Sequence, residues 1–145
     1  MESLSSTETN NAKFITVFTP TYNRAGLLHR VYDSLVKQTN QQFKWLVIDD
    51  GSTDGTKEVV EAFVQENKIE ITYVYKENGG LHSGYNAAIA CLDTELSICI
   101  DSDDWLPEDA IEQIHKVWCK CKAENIAGLI GLDYTASGDL IGDHL

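Results

Sequence analysis

Two periods alternate along this chain. Phe14 to Thr19 is a run of aromatic and β-branched residues closed by Pro20, the pattern of a buried strand. Leu27, Leu28, Val31, Leu35 and Val36 then recur at helical spacing, with Arg30, Asp33 and Lys37 on the opposite face. Phe43 to Ile48 predicts a second strand, which runs into Asp49-Asp50-Gly51-Ser52. Either Thr53 or Asp54 is placed to cap the next helix, whose apolar stripe is Val59, Val60, Phe63 and Val64. The alternation continues with a strand over Ile69–Tyr75, a turn at Asn78-Gly79-Gly80 and a short helix over Ser83–Leu92. Leu96–Ile100 is a short apolar strand that stops at Asp101-Ser102-Asp103-Asp104. Pro107 is read as the first turn of a helix carrying Ile111, Ile114, Val117 and Trp118. Gly128–Tyr134 predicts one more strand, and Ser137-Gly138-Asp139 a turn.

Strands alternating with helices predict an α/β domain, a mostly parallel sheet with helices on both faces. No internal repeat, low-complexity tract or linker interrupts the pattern. Positions 1–12, polar and rich in Ser, Thr and Asn, are expected to be a disordered lead-in. Positions 13–145 are expected to form one domain that stops while still adding strands.

Composition narrows the function. With 145 residues, 43% of them hydrophobic and 23% charged, the chain can build a single globular core. A formal charge of -12 argues against nucleic acid or an anionic membrane surface as partner, since both need clustered Lys and Arg. It is compatible with a divalent cation. No apolar run is long enough to span a bilayer, and the N-terminus lacks the basic and apolar segments of a signal peptide. Cys91 and Cys99 sit in apolar segments as small hydrophobes, so a reducing, cytoplasmic setting is expected. His115, Cys119 and Cys121 make a poor zinc site, because Cys-Lys-Cys is tighter than structural zinc spacing and no second pair follows.

The chemistry concentrates where strands end. Ligands of open α/β sheets bind at the carboxyl ends of the strands. There this sequence places Thr19-Pro20-Thr21-Tyr22-Asn23-Arg24, Asp49-Asp50-Gly51-Ser52 and Asp101-Ser102-Asp103-Asp104. Five carboxylates are thus expected on one rim, an unfavourable crowd unless a cation or hydrogen-bond donors offset it. A hard ion, Mg²⁺ or Mn²⁺, takes oxygen ligands from one or two carboxylates and shares them with substrate phosphates. On an extended segment Asp101 and Asp103 point the same way, which makes them the candidate metal ligands.

Four segments, in order and spacing, resemble family-2 glycosyltransferases. They are Thr19 to Arg24, Val47 to Thr56, Asn78-Gly79-Gly80 through Asn86-Ala87-Ala88-Ile89, and Ile100 to Asp104. The likeness runs from about Lys13 to Trp118 and implies the three-layer α/β/α, Rossmann-like GT-A fold. By resemblance, Pro20, Thr21 and Tyr22 line a uridine pocket, and Asp50, with or without Asp49, hydrogen-bonds the uracil. Gly79 to His82, with Gly80 and His82 the named contacts, approach the nucleotide from the third strand's loop. Asp101 and Asp103 form the Asp-x-Asp motif that holds Mn²⁺ or Mg²⁺ on the diphosphate and touches the ribose or sugar, and Ser102 joins the nucleotide-sugar-binding residues. The implied reaction is transfer of a sugar, with inversion, from a nucleotide-diphosphate sugar, most simply a UDP-sugar. The acceptor is a hydroxyl of a glycan, lipid or polysaccharide.

Plainer readings stand beside these. Tyr22 also fits surface packing, Asp49 and Asp50 a turn before Gly51, and the Gly79-Gly80 pair a tight turn with positive φ. His82 also suits a bond to nearby backbone. The family's catalytic base lies well downstream of Asp-x-Asp. Asp133, Asp139, Asp143 and His144 lack the expected flanking pattern, so the base is absent or unrecognised. The chain therefore reads as part of a longer transferase or as a short protein that binds nucleotide sugar without turnover. A non-enzymatic α/β module of the response-regulator kind also gathers strand-end Asp residues, but no late strand here ends in the Lys it needs.

Overall fold

A computed structural model describes residues 13–121, 133–134 and 140–141. Two compact units are distinguished, residues 1–113 and 114–145. Within the first, the order is β1 (Ile15–Thr21), α1 (Leu28–Val36), β2 (Phe43–Asp49), α2 (Thr56–Glu66), β3 (Ile71–Tyr75), α3 (Leu81–Ala90) and β4 (Leu96–Cys99). Helix α4 (Ala110–Cys121) begins there. The second unit holds a two-stranded antiparallel pair, β5 (Asp133–Tyr134) with β6 (Leu140–Ile141). Only the last two residues of the strand expected over Gly128–Tyr134 are described. The expected Ser137-Gly138-Asp139 turn and the lead-in at 1–12 lie outside the described residues.

The sheet of the first unit is wholly parallel, in the order β3-β2-β1-β4. β1 and β2 are buried along nearly their whole length, as central parallel strands must be. Their side chains alternate between two cores. Trp45 shares one face with Tyr32 of α1 and Phe63 of α2; the Tyr32 and Phe63 rings stack at 4.0 Å, and the Trp45 indole N–H donates to Thr19 Oγ1 at 2.9 Å. On the other face Phe18, Leu46 and Ile48 pack with Ala88 of α3. This is the period-2 rule of a strand that serves two helix layers.

Element boundaries move slightly from expectation. β1 continues through Pro20 to Thr21, because the Asp50 N–H still donates to Thr21 O at 2.9 Å beyond the last apolar residue. Pro107 precedes α4 by one turn and does not open it; its carbonyl accepts the Ala110 N–H at 3.1 Å. The segment before α4 is tied to α1 instead. The Ser34 hydroxyl accepts the Leu106 N–H, the Thr39 N–H donates to Glu108 O, and the guanidinium of Arg30 lies 5.4 Å from the Trp105 ring. The buried Gln38 side chain donates to Ser34 O and Pro107 O and accepts the Ile111 N–H at 3.0 Å. This fixes the far flank of the acidic turn.

Candidate functional site

β1 pairs with β2 on one side and with β4 on the other, so the chain direction of the crossovers reverses at β1. β4 pairs with β1 only as far as Phe18, and the loops diverge beyond it. At that point, where an α/β sheet opens a crevice, lies a cleft of about 440 Å³. β1 contributes Pro20 and Thr21, and the loop after it Tyr22 and Arg24; the loops after β2 and β3 contribute Asp50, Asn78 and Gly80. Gly84 of α3 and the turn Asp101-Ser102-Asp103 complete it.

Glycines let these backbones meet. Gly51 has φ +86°, and a Cβ there would lie 2.8 Å from the Asn78 nitrogen. Gly80 has φ +83° at the start of α3, the left-handed geometry expected of a tight turn.

The acidic residues divide into two kinds. Asp50 is 8% exposed, and its carboxylate accepts the N–H groups of Gly79 and Gly80, each at 2.9 Å, and the Lys76 ammonium at 2.6 Å. Burial alone would push this carboxyl up, but Lys76 and the two N–H groups outweigh it and hold it below the usual carboxylate range. Asp49 is 0% exposed and does not line the cleft. Its carboxylate accepts the Ser52 N–H at 2.8 Å and the Tyr73 hydroxyl; burial, and then this bond to Asp49, push the Tyr73 phenol up.

Asp101, Asp103 and Asp104 behave differently. They are exposed, and one carboxylate oxygen of each lies within 4.8 Å of the others. Asp101 and Asp103 make no side-chain hydrogen bond or ion pair to a described residue. The expected extended alternation is not what brings them together. β4 ends at Cys99, and a turn closed by Asp104 N–H to Asp101 O at 3.0 Å curls the segment so that Asp104 joins the pair. Three carboxylates therefore gather, not five; Asp50 faces the same cleft with its charge already paired, and Asp49 points into the core.

Ser102 is buried at the cleft wall. Thr21 is 4% exposed, and its Oγ1 has no hydrogen-bond partner among the described residues. A buried hydroxyl left unpaired costs roughly 1–3 kcal/mol, which marks it for an external partner. Tyr22 is 47% exposed at the rim. His82 is exposed on the first turn of α3 and does not line the cleft. The structure adds Arg24, Asn78 and Gly84 to the wall. Arg24 stood inside a quoted motif, but its type alone does not say which way it points. Asp139, Asp143 and His144 lie outside the described residues, as does the side chain of Asp133.

A Rossmann-like parallel sheet with an acidic turn at its switch point defines the GT-A class of nucleotide-sugar transferase folds. The family model for Glycosyl transferase family 2 matches residues 16–138, and the chain belongs to that family. It is 32% identical over 114 residues to glycosyltransferase GlyA of Streptococcus pneumoniae, covering 79% of this chain and 16% of GlyA. It is 31% identical to the hyaluronan synthase of Pasteurella multocida over 134 residues, 92% of this chain and 14% of that protein. S. aureus TarS (1-349), solved in complex with UDP, superposes with a TM-score of 0.70 at 26% identity, over 75% of this chain and 33% of that one. The chain thus spans a minor part of each relative's length. Among the described residues, no helix is long and apolar enough to cross a membrane.

Proposed function

We propose that this chain binds the donor of a sugar transfer, a nucleoside diphosphate sugar and most simply a UDP-sugar, together with Mn²⁺ or Mg²⁺. In the same reading the whole protein delivers the sugar, with inversion, to a hydroxyl of a glycan, lipid or polysaccharide acceptor. The observation that carries the reading is the gathering of the Asp101, Asp103 and Asp104 carboxylates at the sheet's switch point, where Asp101 and Asp103 line a cleft that Arg24 also lines.

The residues fit a hard cation. Oxygens no more than 4.8 Å apart can all reach one ion at metal–oxygen distances of roughly 2.1–2.4 Å, and their exposure leaves positions for phosphate oxygens and water. An anionic diphosphate would otherwise enter a cleft lined by Asp50, Asp101 and Asp103 against repulsion. When bound, the cation offsets the charge that develops on the departing diphosphate. The chain's own residues orient the nucleotide. Thr21 offers its unpaired hydroxyl, Tyr22 an aromatic face, and Asp50 holds the Gly79-Gly80 backbone in place. Supporting the uridine assignment is TarS, solved with UDP; supporting a polysaccharide acceptor is the hyaluronan synthase.

Calorimetric titration of UDP into the chain, with and without Mn²⁺, tests this. The expected outcome is ion-dependent binding that weakens at least about tenfold in Asp103→Ala. Its thermal midpoint should stay unchanged or rise slightly, because one of three crowded charges is gone. Equal affinity with and without the ion, or in the variant, would overturn the metal assignment.

A further inference from the structure

Tyr22 and Arg24 both line the cleft and are both exposed, and neither side chain makes a hydrogen bond or ion pair to a described residue. The residue between them, Asn23, does not itself line the cleft. Asn23 stands at φ +52°, one of two non-glycine residues with positive φ among those described. Asn tolerates this region because its short polar side chain bonds locally.

Here that side chain reaches into the next loop. Asn23 Oδ1 accepts the N–H of Thr53 at 2.8 Å and of Asp54 at 3.3 Å, while the Asn23 N–H donates to Ser52 Oγ at 2.8 Å. Two residues further on, the Ala25 N–H donates to Asp54 Oδ2 at 3.3 Å, closing the clamp from the other side. The loop after β1 is thus bolted to the loop after β2 at Asn23, with Ala25 adding a further bond. The bolt sits between the two side chains that enter the cleft.

We propose that Asn23 is a positioning residue of the donor site. Its left-handed backbone and its amide oxygen's hold on the Thr53 and Asp54 N–H groups fix the directions from which Tyr22 and Arg24 meet the ligand. The inference rests on the reading of the cleft as a nucleotide-sugar site. A residue that merely stabilised a turn would lower stability when replaced and leave the affinity of the folded protein unchanged.

Three variants of the full chain separate these roles. Asn23→Gly keeps the φ and loses the acceptor, Asn23→Asp keeps both, and Asn23→Ala loses both. UDP affinity with Mn²⁺ is measured at roughly 0.3 M salt, where exposed charge added by Asp is screened. We expect Asn23→Gly and Asn23→Ala to weaken UDP binding about tenfold and Asn23→Asp to stay within about threefold of the parent. Parental affinity in Asn23→Gly, or an equal loss in Asn23→Asp, would overturn the proposal. If the parent chain itself binds no UDP, the proposed function fails, and the side-chain NMR resonances of Tyr22 and Arg24 decide this point alone. They should move in Asn23→Gly and hold in Asn23→Asp; unchanged resonances in Asn23→Gly would refute the clamp.

Discussion

Replacing Asp50 with Asn keeps the side chain's size and removes its charge and one acceptor. The carboxylate now serves three donors, the N–H groups of Gly79 and Gly80 and the Lys76 ammonium. An amide turned to satisfy two of them presents its own N–H₂ to the third. Hydrogen bonds to a charged group contribute about 1.5–3 kcal/mol each, but Gly79 and Gly80 are exposed and water can replace part of what is lost. The net cost should be about 1–2 kcal/mol, which for a domain of this size is a fall of roughly 3–8 °C in thermal midpoint.

The pH dependence sharpens the test. Asp50's carboxyl is held below the usual range in the folded chain, so its contribution is complete above the unfolded carboxylate range. It is lost only as pH falls through the still lower folded value. The gap in midpoint between parent and Asp50→Asn should therefore be full at pH 7, persist to about pH 4 and close below that. Paired thermal melts across this range measure it, with other carboxylates cancelling in the difference. No gap at pH 7, or a gap that widens in acid, would refute the assignment of Asp50 as the anchor of the 76–80 loop.

Substitutions at two further positions probe the frame around the cleft. Gly51→Ala puts a Cβ 2.8 Å from the Asn78 nitrogen at φ +86°, and should cost about 1–3 kcal/mol in urea unfolding while displacing a cleft residue. Gln38→Ala strands Pro107 O, Ser34 O and the Ile111 N–H, and should cost about 2–4 kcal/mol by the same assay. Gln38→Glu should be no milder, because it sets a carboxylate against two carbonyls; near-parental stability in Gln38→Glu would refute the hub.

The alternating periods made the parallel sheet and its helices legible, since strand burial and helix amphipathicity are written locally in residues such as Val47, Ile48, Val60 and Phe63. The strand-end motifs likewise pointed to Pro20, Thr21, Tyr22, Asp50, Gly80 and the Asp101–Asp103 turn, which the fold gathers around one cleft. What remained hidden depends on which way a side chain leaves its loop. Asp49 and Asp50 are neighbours of identical chemistry, and only β2's pleat sends one inward to Ser52 and Tyr73 and the other toward Lys76 and the cleft. His82 adjoins Gly80 in sequence, yet the first turn of α3 carries it off the wall. Gln38 lies in no motif, and Asn23 stands in one that does not reveal its role, because the side chains' partners include backbone groups far along the chain, at 107–111 and 53–54.

The same comparison explains why the acids of this rim do not all serve a ligand. A loop that must stop short at a strand end leaves backbone N–H groups without secondary-structure partners, and these need acceptors. Asp49 takes Ser52, Asp50 takes Gly79 and Gly80, Asp54 takes Ala25 and Thr56, and Asn23 takes Thr53 and Asp54. Each of these side chains locks one loop to itself or to the next. Asp101 and Asp103 are in the opposite position: their turn closes through its own backbone bond, so it requires nothing from their carboxylates. Stability gains little from keeping two such charges beside Asp104, and repulsion among them works against the fold. An arrangement that is unfavourable to the empty protein and geometrically suited to a cation is what the proposed donor site would require.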